Sequence, residues 1–190
     1  MDYRIFHGEL VRLAALDSES SALELARWMG DTEFSRLFDA VPAGCPSVHR
    51  MQQSIQELQQ EQPQIYPFAI RTLQEDRLIG RCELEITVWA NREAFVGIGI
   101  GERDYWGRGY GTDAMHILLR YAFTELNLHR VSLNVFSYNE RAIHCYEKIG
   151  FQHEGRLNRW VHREGRRWDL VYMGILSAEW QALQQACQRC

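Results

Sequence analysis

No apolar run in the 190-residue chain approaches the ~20 residues that a membrane-spanning helix needs. The first residues, MDYRIFHGELVRL, lack the charged-then-apolar layout of a secretory leader. These two absences lead to the expectation of a cytoplasmic protein without a membrane partner. A disulfide framework is missing too: five cysteines are an odd number and fit reduced thiols. Cys187 and Cys190 form one C-x-x-C pair at the extreme C-terminus. It has no second ligand pair for zinc and no strand-to-helix unit for redox work. The histidines show no H-E-x-x-H spacing, so no metal is expected. A basic surplus is absent, with a net charge of −4, and no nucleic-acid partner is expected. There is no G-x-S-x-G elbow to support hydrolase chemistry, no Gly/Ser/Pro linker and no solenoid-length repeat. All four prolines lie between positions 42 and 67.

What is present suits one folded domain over residues 1–190, since 46 % of residues are apolar and 24 % charged. Glu9–Leu16 reads as a first strand. Asp17 to about Trp28 reads as a helix with Asp17 or Ser18 as N-cap. Val41–Pro46 is a loop. Ser47 to Gln62 is a helix whose Met51, Ile55 and Leu58 share a face. Strands follow at Ile65–Leu73, Arg77–Trp89 and Ala94–Ile100. In the second of these, Leu84, Ile86 and Val88 alternate with Glu83, Glu85 and Thr87. Thr112 to Leu126 repeats Met115, Leu118, Leu119, Ala122 and Leu126 at helical spacing. Val131–Phe136 is a strand, and Asn139–Gly150 a helix with an Asn cap and a terminal glycine. Phe151–Leu176 reads as two antiparallel strands around Arg163–Arg166. The order implies an α+β or mixed α/β fold.

Four of fourteen glycines fall within eleven positions in GERDYWGRGYGTDAM, Gly101 to Met115. The dinucleotide fingerprint would need a glycine where Thr112 stands, and no G-K-[ST] is present. The physics of a phosphate cradle survives nonetheless. A strand feeds a bare turn that opens a helix, where backbone N–H groups and the helix dipole favour an anion. Arg108 adds charge nearby. An ordinary glycine-rich turn that packs a helix on a sheet reads equally well from this stretch alone.

A second cluster, NERAIHCYEKIGF (Asn139–Phe151), follows about thirty residues on. Together with YWGRGYGTDAM and EGRLNRWVHREGRRWDLVYMGIL it resembles the GNAT family, the GCN5-related N-acetyltransferases. The likeness is to the branch that holds ribosomal-protein N-terminal and spermidine acetyltransferases, and covers roughly Ala94 to Leu176. The resemblance implies a GNAT fold, a mixed, mostly antiparallel sheet flanked by helices. Its splayed parallel strand pair is Ala94–Ile100 with Val131–Phe136, and acetyl-CoA lies in the V. The diphosphate would meet the amides of Gly107, Arg108, Gly109, Tyr110, Gly111 and Thr112. Trp106 stands where the family turn begins with Arg or Gln. The pantetheine arm would pair along Ile98, Gly99 and Ile100, with the Ile100 N–H polarising the thioester carbonyl. Asn139 matches an asparagine that often contacts coenzyme A, and also reads as a plain helix cap.

The resemblance implies transfer of acetyl to a primary amine by direct attack, and it places Tyr146 to protonate the coenzyme sulfur. Reference pKa values of ~10 for a phenol and ~8.5 for a thiol make that transfer reasonable. Glu83 and Glu85 share a strand face and are candidates for taking the amine's proton, or are a solvated face. His144 is two residues from Tyr146 and so points elsewhere. Asp17, Glu19, Glu24, Asp31 and Glu33 form a locally acidic stretch that suits a cationic amine or is simply solvated. The acceptor is a protein N-terminus, a polyamine or another small amine, and a homodimer is possible. The competing expectation is a catalytically silent sensor or scaffold that binds acyl-CoA without turnover.

Overall fold

The computed structural model describes residues 4–60 and 64–187. The strands are β1 (Val11–Ala15), β2 (Ile65–Thr72), β3 (Leu78–Val88), β4 (Glu93–Ile100), β5 (Arg130–Phe136), β6 (Gln152–Arg163) and β7 (Arg166–Leu176). They form one mixed sheet in the order β1-β2-β3-β4-β5-β7-β6. The helices are α1 (Ser18–Gly30), α2 (Thr32–Phe38), α3 (Val48–Gln60), α4 (Tyr110–Arg120), α5 (Glu140–Ile149) and α6 (Ser177–Cys187). No helix among the described residues is long and apolar enough to cross a membrane. The expected end of the third helix at Gln62, the opening residues of the chain and Cys190 lie partly or wholly outside the described residues.

The chain divides into two compact units. The first holds residues 1–85 and 97–118. Here β1 and β2 pair antiparallel from Val11↔Thr72 to Ala15↔Phe68, and β2 pairs antiparallel with β3. Asp17 caps α1, accepting from the Ser20 N–H at 2.7 Å. Leu16, Leu25, Trp28, Phe34, Ile55, Ala69 and Leu78 form its core. Each large side chain withdrawn from water in this way contributes about 1.5–3 kcal/mol. The helix α2 has no counterpart in the sequence reading. Its seven residues are too few to display a 3.6-residue period, and its signal is the Asp31 cap, which accepts from the N–H groups of Glu33 and Phe34.

The second unit holds residues 86–96 and 119–190. The parallel ladder between β4 and β5 consists of Glu93↔Arg130, Ala94↔Val131 and Phe95↔Ser132, while β4 runs on to Ile100 and β5 to Phe136. β5 and β7 pair antiparallel along seven residues. The β6–β7 hairpin turns at Glu164 and Gly165, both at positive φ (52° and 76°), as a tight two-residue hairpin turn requires. β6 bulges between Leu157 and Val161. There Arg159 adopts φ +55°, and its N–H donates to the Asp169 carboxylate at 2.7 Å.

Two boundaries differ from expectation. Leu84 and Ile86 are buried as alternation predicts, but Val88 is 42 % exposed, because the strand gives way there to a 3-10 turn at Trp89–Asn91. The long fourth helix does not run regularly to Leu126. Tyr121–Glu125 is a π turn, where the chain widens to i→i+5 bonds such as Leu126 N–H to the Tyr121 carbonyl at 3.2 Å.

Candidate active site

The glycine stretch lies in the first unit, and its glycines answer to different constraints. Gly107 and Gly109 have φ of +70° and +89°, a left-handed backbone that side-chain-bearing residues rarely adopt. Gly101 is fixed by packing instead, since a Cβ there would run into the indole of Trp28, which is 2 % exposed. Gly111 has an ordinary φ, and its nearest neighbour for a Cβ is Ile100 Cγ1 at 3.6 Å, so alanine fits there.

The turn opens α4. The first bond of that helix is Asp113 N–H to the Gly109 carbonyl at 2.9 Å. The amides of Tyr110 and Gly111 therefore precede the helix's own ladder, and with the positive end of the dipole they present an anion-binding face. The Arg108 side chain donates to the Asp104 carbonyl at 3.0 Å and lies 5.9 Å from the Tyr110 ring centroid. Tyr110 packs edge-on to Tyr105 at 4.8 Å.

Three residues outside the expected set hold this turn. The indole N–H of Trp106 donates to the Ile100 carbonyl at 2.6 Å, fastening the turn back onto the end of β4. Arg103 lies over the Trp106 ring at 5.4 Å. Glu102, its side chain 8 % exposed, accepts from Trp28 Nε1 at 2.8 Å, from Arg77 Nη2 at 2.9 Å, and from Arg27. No motif names these residues. Trp106 does occupy the position where this turn departs from its family pattern, and that substitution was the available signal.

Ile98, Gly99 and Ile100 are half-buried on β4. Gly99 is crowded by Phe38 and Phe34, the latter at 3.1 Å from a Cβ placed there. The two glutamates on β3 are not equivalent. Glu83 is half-buried, pairs with Arg81, and its Oε1 would lie 3.2 Å from a Cβ on Gly97 of β4. Glu85 is exposed and sits opposite Ile65 in the ladder.

The acidic stretch of the N-terminal third is largely paired internally. Glu24 binds Arg27. Asp31 and Glu33 both bind Arg103, each at 2.6 Å. Hydrogen bonds from Arg103, helped by the Glu33 and Phe34 amides, hold the Asp31 carboxyl down to about 2. A folded-state pKa below the unfolded ~3.9 gives stability that is present above about pH 4 and lost as pH falls towards 2. Stability measured by denaturant between pH 5 and pH 2.5 is therefore expected to fall less steeply in Arg103→Gln than in the wild type.

Asn139 and Tyr146 belong to the second unit. Asn139 Oδ1 accepts from the Ala142 N–H at 3.2 Å as the N-cap of α5. Gly150 closes that helix at φ +113°. Tyr146 is 9 % exposed and stands edge-on to Phe151 at 5.9 Å. Burial pushes its phenol well above the ordinary tyrosine range. His144 is exposed, and its Nδ1 is bonded to the Glu140 carbonyl at 2.7 Å, away from Tyr146 as helix spacing requires. Cys82 is buried, and burial pushes its thiol up, which leaves it unreactive.

The mixed sheet with one parallel strand pair, the left-handed glycine turn feeding a helix N-terminus and the second capped helix after the next strand are the elements that the resemblance to the acetyltransferase family implies. The family model for the acetyltransferase (GNAT) domain matches residues 11–152, and the chain belongs to that family. It is an acetyl-CoA-dependent N-acetyltransferase. It is similar to the uncharacterized N-acetyltransferase p20 of Bacillus licheniformis, 31 % identical over 82 % of this chain and 87 % of that protein. Spermidine N(1)-acetyltransferase of Vibrio cholerae is 34 % identical over 60 % of this chain and 64 % of its own length. The crystal structure of the Vibrio cholerae spermidine N-acetyltransferase in complex with CoA and spermine superposes with a TM-score of 0.80. That match covers 90 % of this chain and 98 % of the other, at 25 % identity.

Proposed function

We propose that the protein moves acetyl from acetyl-CoA to a primary amine by direct attack within a ternary complex, and that its acceptor is a polyamine, another small amine or a protein N-terminus. The observation that carries the reading is the turn of Gly107–Thr112, with two left-handed glycines and helix amides ahead of the ladder. It suits the diphosphate of coenzyme A. The pantetheine arm extends along Ile98–Ile100, where the Ile100 N–H supports the charge that develops on the thioester oxygen. Asn139 contributes a coenzyme contact from the cap of α5. The family match at residues 11–152 runs through both compact units, which supports treating them as one acetyltransferase domain. No metal takes part in this scheme.

The amine attacks as the neutral base, and the C–N bond forms as the C–S bond breaks. Glu83 takes the proton that the amine sheds, directly or through water, with Arg81 fixing its carboxylate. Glu85, exposed on the same strand face, is the alternative acceptor for that proton. Tyr146 donates a hydrogen bond to the departing sulfur. Much of the acceleration comes from holding the amine and thioester in contact. A polyamine acceptor is supported by the likeness to spermidine acetyltransferases. A homodimer remains part of the proposal.

The test is release of coenzyme A thiol from acetyl-CoA against a panel of polyamines, small amines and peptides with free N-termini. Activity with at least one amine is expected. Gly109→Val forces a β-branched side chain into a backbone at φ +89°, which distorts the turn, and is expected to raise the Kd for coenzyme A at least about tenfold, equivalent to ~1.4 kcal/mol. Tight coenzyme binding with no thiol release from any amine would sink the proposed acceptor class.

A further inference from the structure

Asp113, in the first turn of α4, reaches more than a hundred residues back along the chain. Its Oδ1 accepts from the Glu9 N–H at 3.0 Å. Its Oδ2 accepts from the N–H groups of Leu10 at 2.8 Å and Val11 at 2.9 Å. Three successive backbone N–H groups thus close on one carboxylate, the geometry of an anion nest. The segment that supplies them is a hook ahead of β1. Gly8 N–H donates to the Val11 carbonyl at 2.8 Å, and Leu13 N–H to the Phe6 carbonyl at 2.8 Å. Leu73 N–H donates to the Leu10 carbonyl at 3.0 Å, which ties the hook to the end of β2. A Cβ on Gly8 would run into the Asp113 carboxylate, so the hook approaches with bare backbone.

The hook also lies against the turn itself. Leu10 Cδ1 would be 3.5 Å from a Cβ on Gly109. The same segment therefore grips the helix that starts at the turn and backs the left-handed residue within it. Charge gives a second reason for this arrangement. A carboxylate in the first helical turn favours the dipole, yet it opposes a second anion close by. Three N–H donors absorb its charge and leave the remaining amides of the turn to another anion.

We propose that Asp113 and the Glu9–Val11 amides form a brace that sets the glycine turn for the coenzyme diphosphate, making Asp113 a positioning residue for coenzyme binding. The brace rests on the coenzyme reading of the turn given above. It couples the N-terminal hook to that turn, although the two lie at opposite ends of the first unit's sequence.

The test compares wild type with Asp113→Ala, Asp113→Asn and Gly8→Ala. Binding of free coenzyme A is measured by calorimetry, together with kcat, the KM for each substrate and urea unfolding. Asp113→Ala is expected to raise the coenzyme Kd and the acetyl-CoA KM about tenfold or more. In the same protein kcat at saturating coenzyme and the KM for the amine are expected to change much less. Asp113→Asn, which keeps one acceptor oxygen, recovers part of the loss. Gly8→Ala, acting from the hook side, shifts the same two constants in the same direction. A merely structural Asp113 would lower the urea midpoint and leave the coenzyme Kd of the folded protein within about twofold of wild type, and that result overturns the brace. If Asp113→Ala does not fold, Asp113→Asn and Gly8→Ala decide by the same criteria. Failure of the wild type itself to bind coenzyme A, or a Gly109→Val variant binding as wild type, would overturn the cradle rather than the brace.

Discussion

Tyr146→Phe is expected to lower kcat by about two orders of magnitude, at the lower end of what a positioned acid contributes, and to leave coenzyme affinity within about twofold. The ring stays buried against Phe151, so folding is unaffected and only the hydroxyl is lost. The sign of the phenol's shift refines its role. Burial disfavours phenolate, so Tyr146 holds its proton through the neutral range and beyond its ordinary ~10. The wild-type pH profile is therefore expected to show no fall traceable to this phenol up to that pH. The same burial makes the phenol a weaker acid than an ordinary tyrosine towards a thiolate. In the proposed reaction Tyr146 would donate a hydrogen bond to the sulfur as negative charge grows there, with the thiolate collecting its proton after it leaves. A hydrogen bond to a charged group contributes about 1.5–3 kcal/mol, of the same order as the expected loss in kcat. A Tyr146→Phe enzyme that retains kcat within about threefold of wild type would remove Tyr146 from the chemistry.

The largest effect on stability is expected at Glu102. Glu102→Ala removes a carboxylate that is 8 % exposed, and leaves the buried Trp28 N–H without its acceptor. Breaking a buried ion pair costs about 3–5 kcal/mol. Here Arg27 and Arg77 are 55 % and 48 % exposed and turn to water when released, so the lower bound, about 3 kcal/mol, is expected in urea unfolding. That is a large share of the 5–15 kcal/mol typical of a folded domain. Glu102→Gln still accepts from Trp28 but turns an NH2 towards Arg77, and is expected to fall between alanine and wild type. A loss below about 1 kcal/mol for Glu102→Ala would show that the cluster contributes little. Because Glu102 directly precedes the 3-10 turn at Arg103–Tyr105, the same variant is expected to bind coenzyme A more weakly than the wild type.

The parts of this protein legible in its sequence are those governed by near neighbours along the chain. Asn139 and Gly150 bracket α5 as capping chemistry requires, and Met115, Leu118, Leu119 and Ala122 are buried at helical spacing. The turn of Gly107 and Gly109 carries its own cause, since only a residue without Cβ takes those φ values readily. Legibility ended where a side chain answers to a distant one. Alternation along β3 made Glu83 and Glu85 equals, and only packing against Gly97 and pairing with Arg81 separate them. The acidic N-terminal stretch read either as suited to a cationic amine or as simply solvated, whereas Arg27 and Arg103 pair with Glu24, Asp31 and Glu33.

Most strands and longer helices, and the turn that suits an anion, were written in local sequence, because caps, periodicity and left-handed glycines depend on residues a few positions apart; α2 and α6 were not, and the family came from the resemblance of the motifs. Tertiary structure alone decided how that turn is held. Glu102 meets Trp28 across 74 residues and Asp113 meets Glu9 across 104, and no local pattern encodes contacts that exist only once the chain has closed on itself.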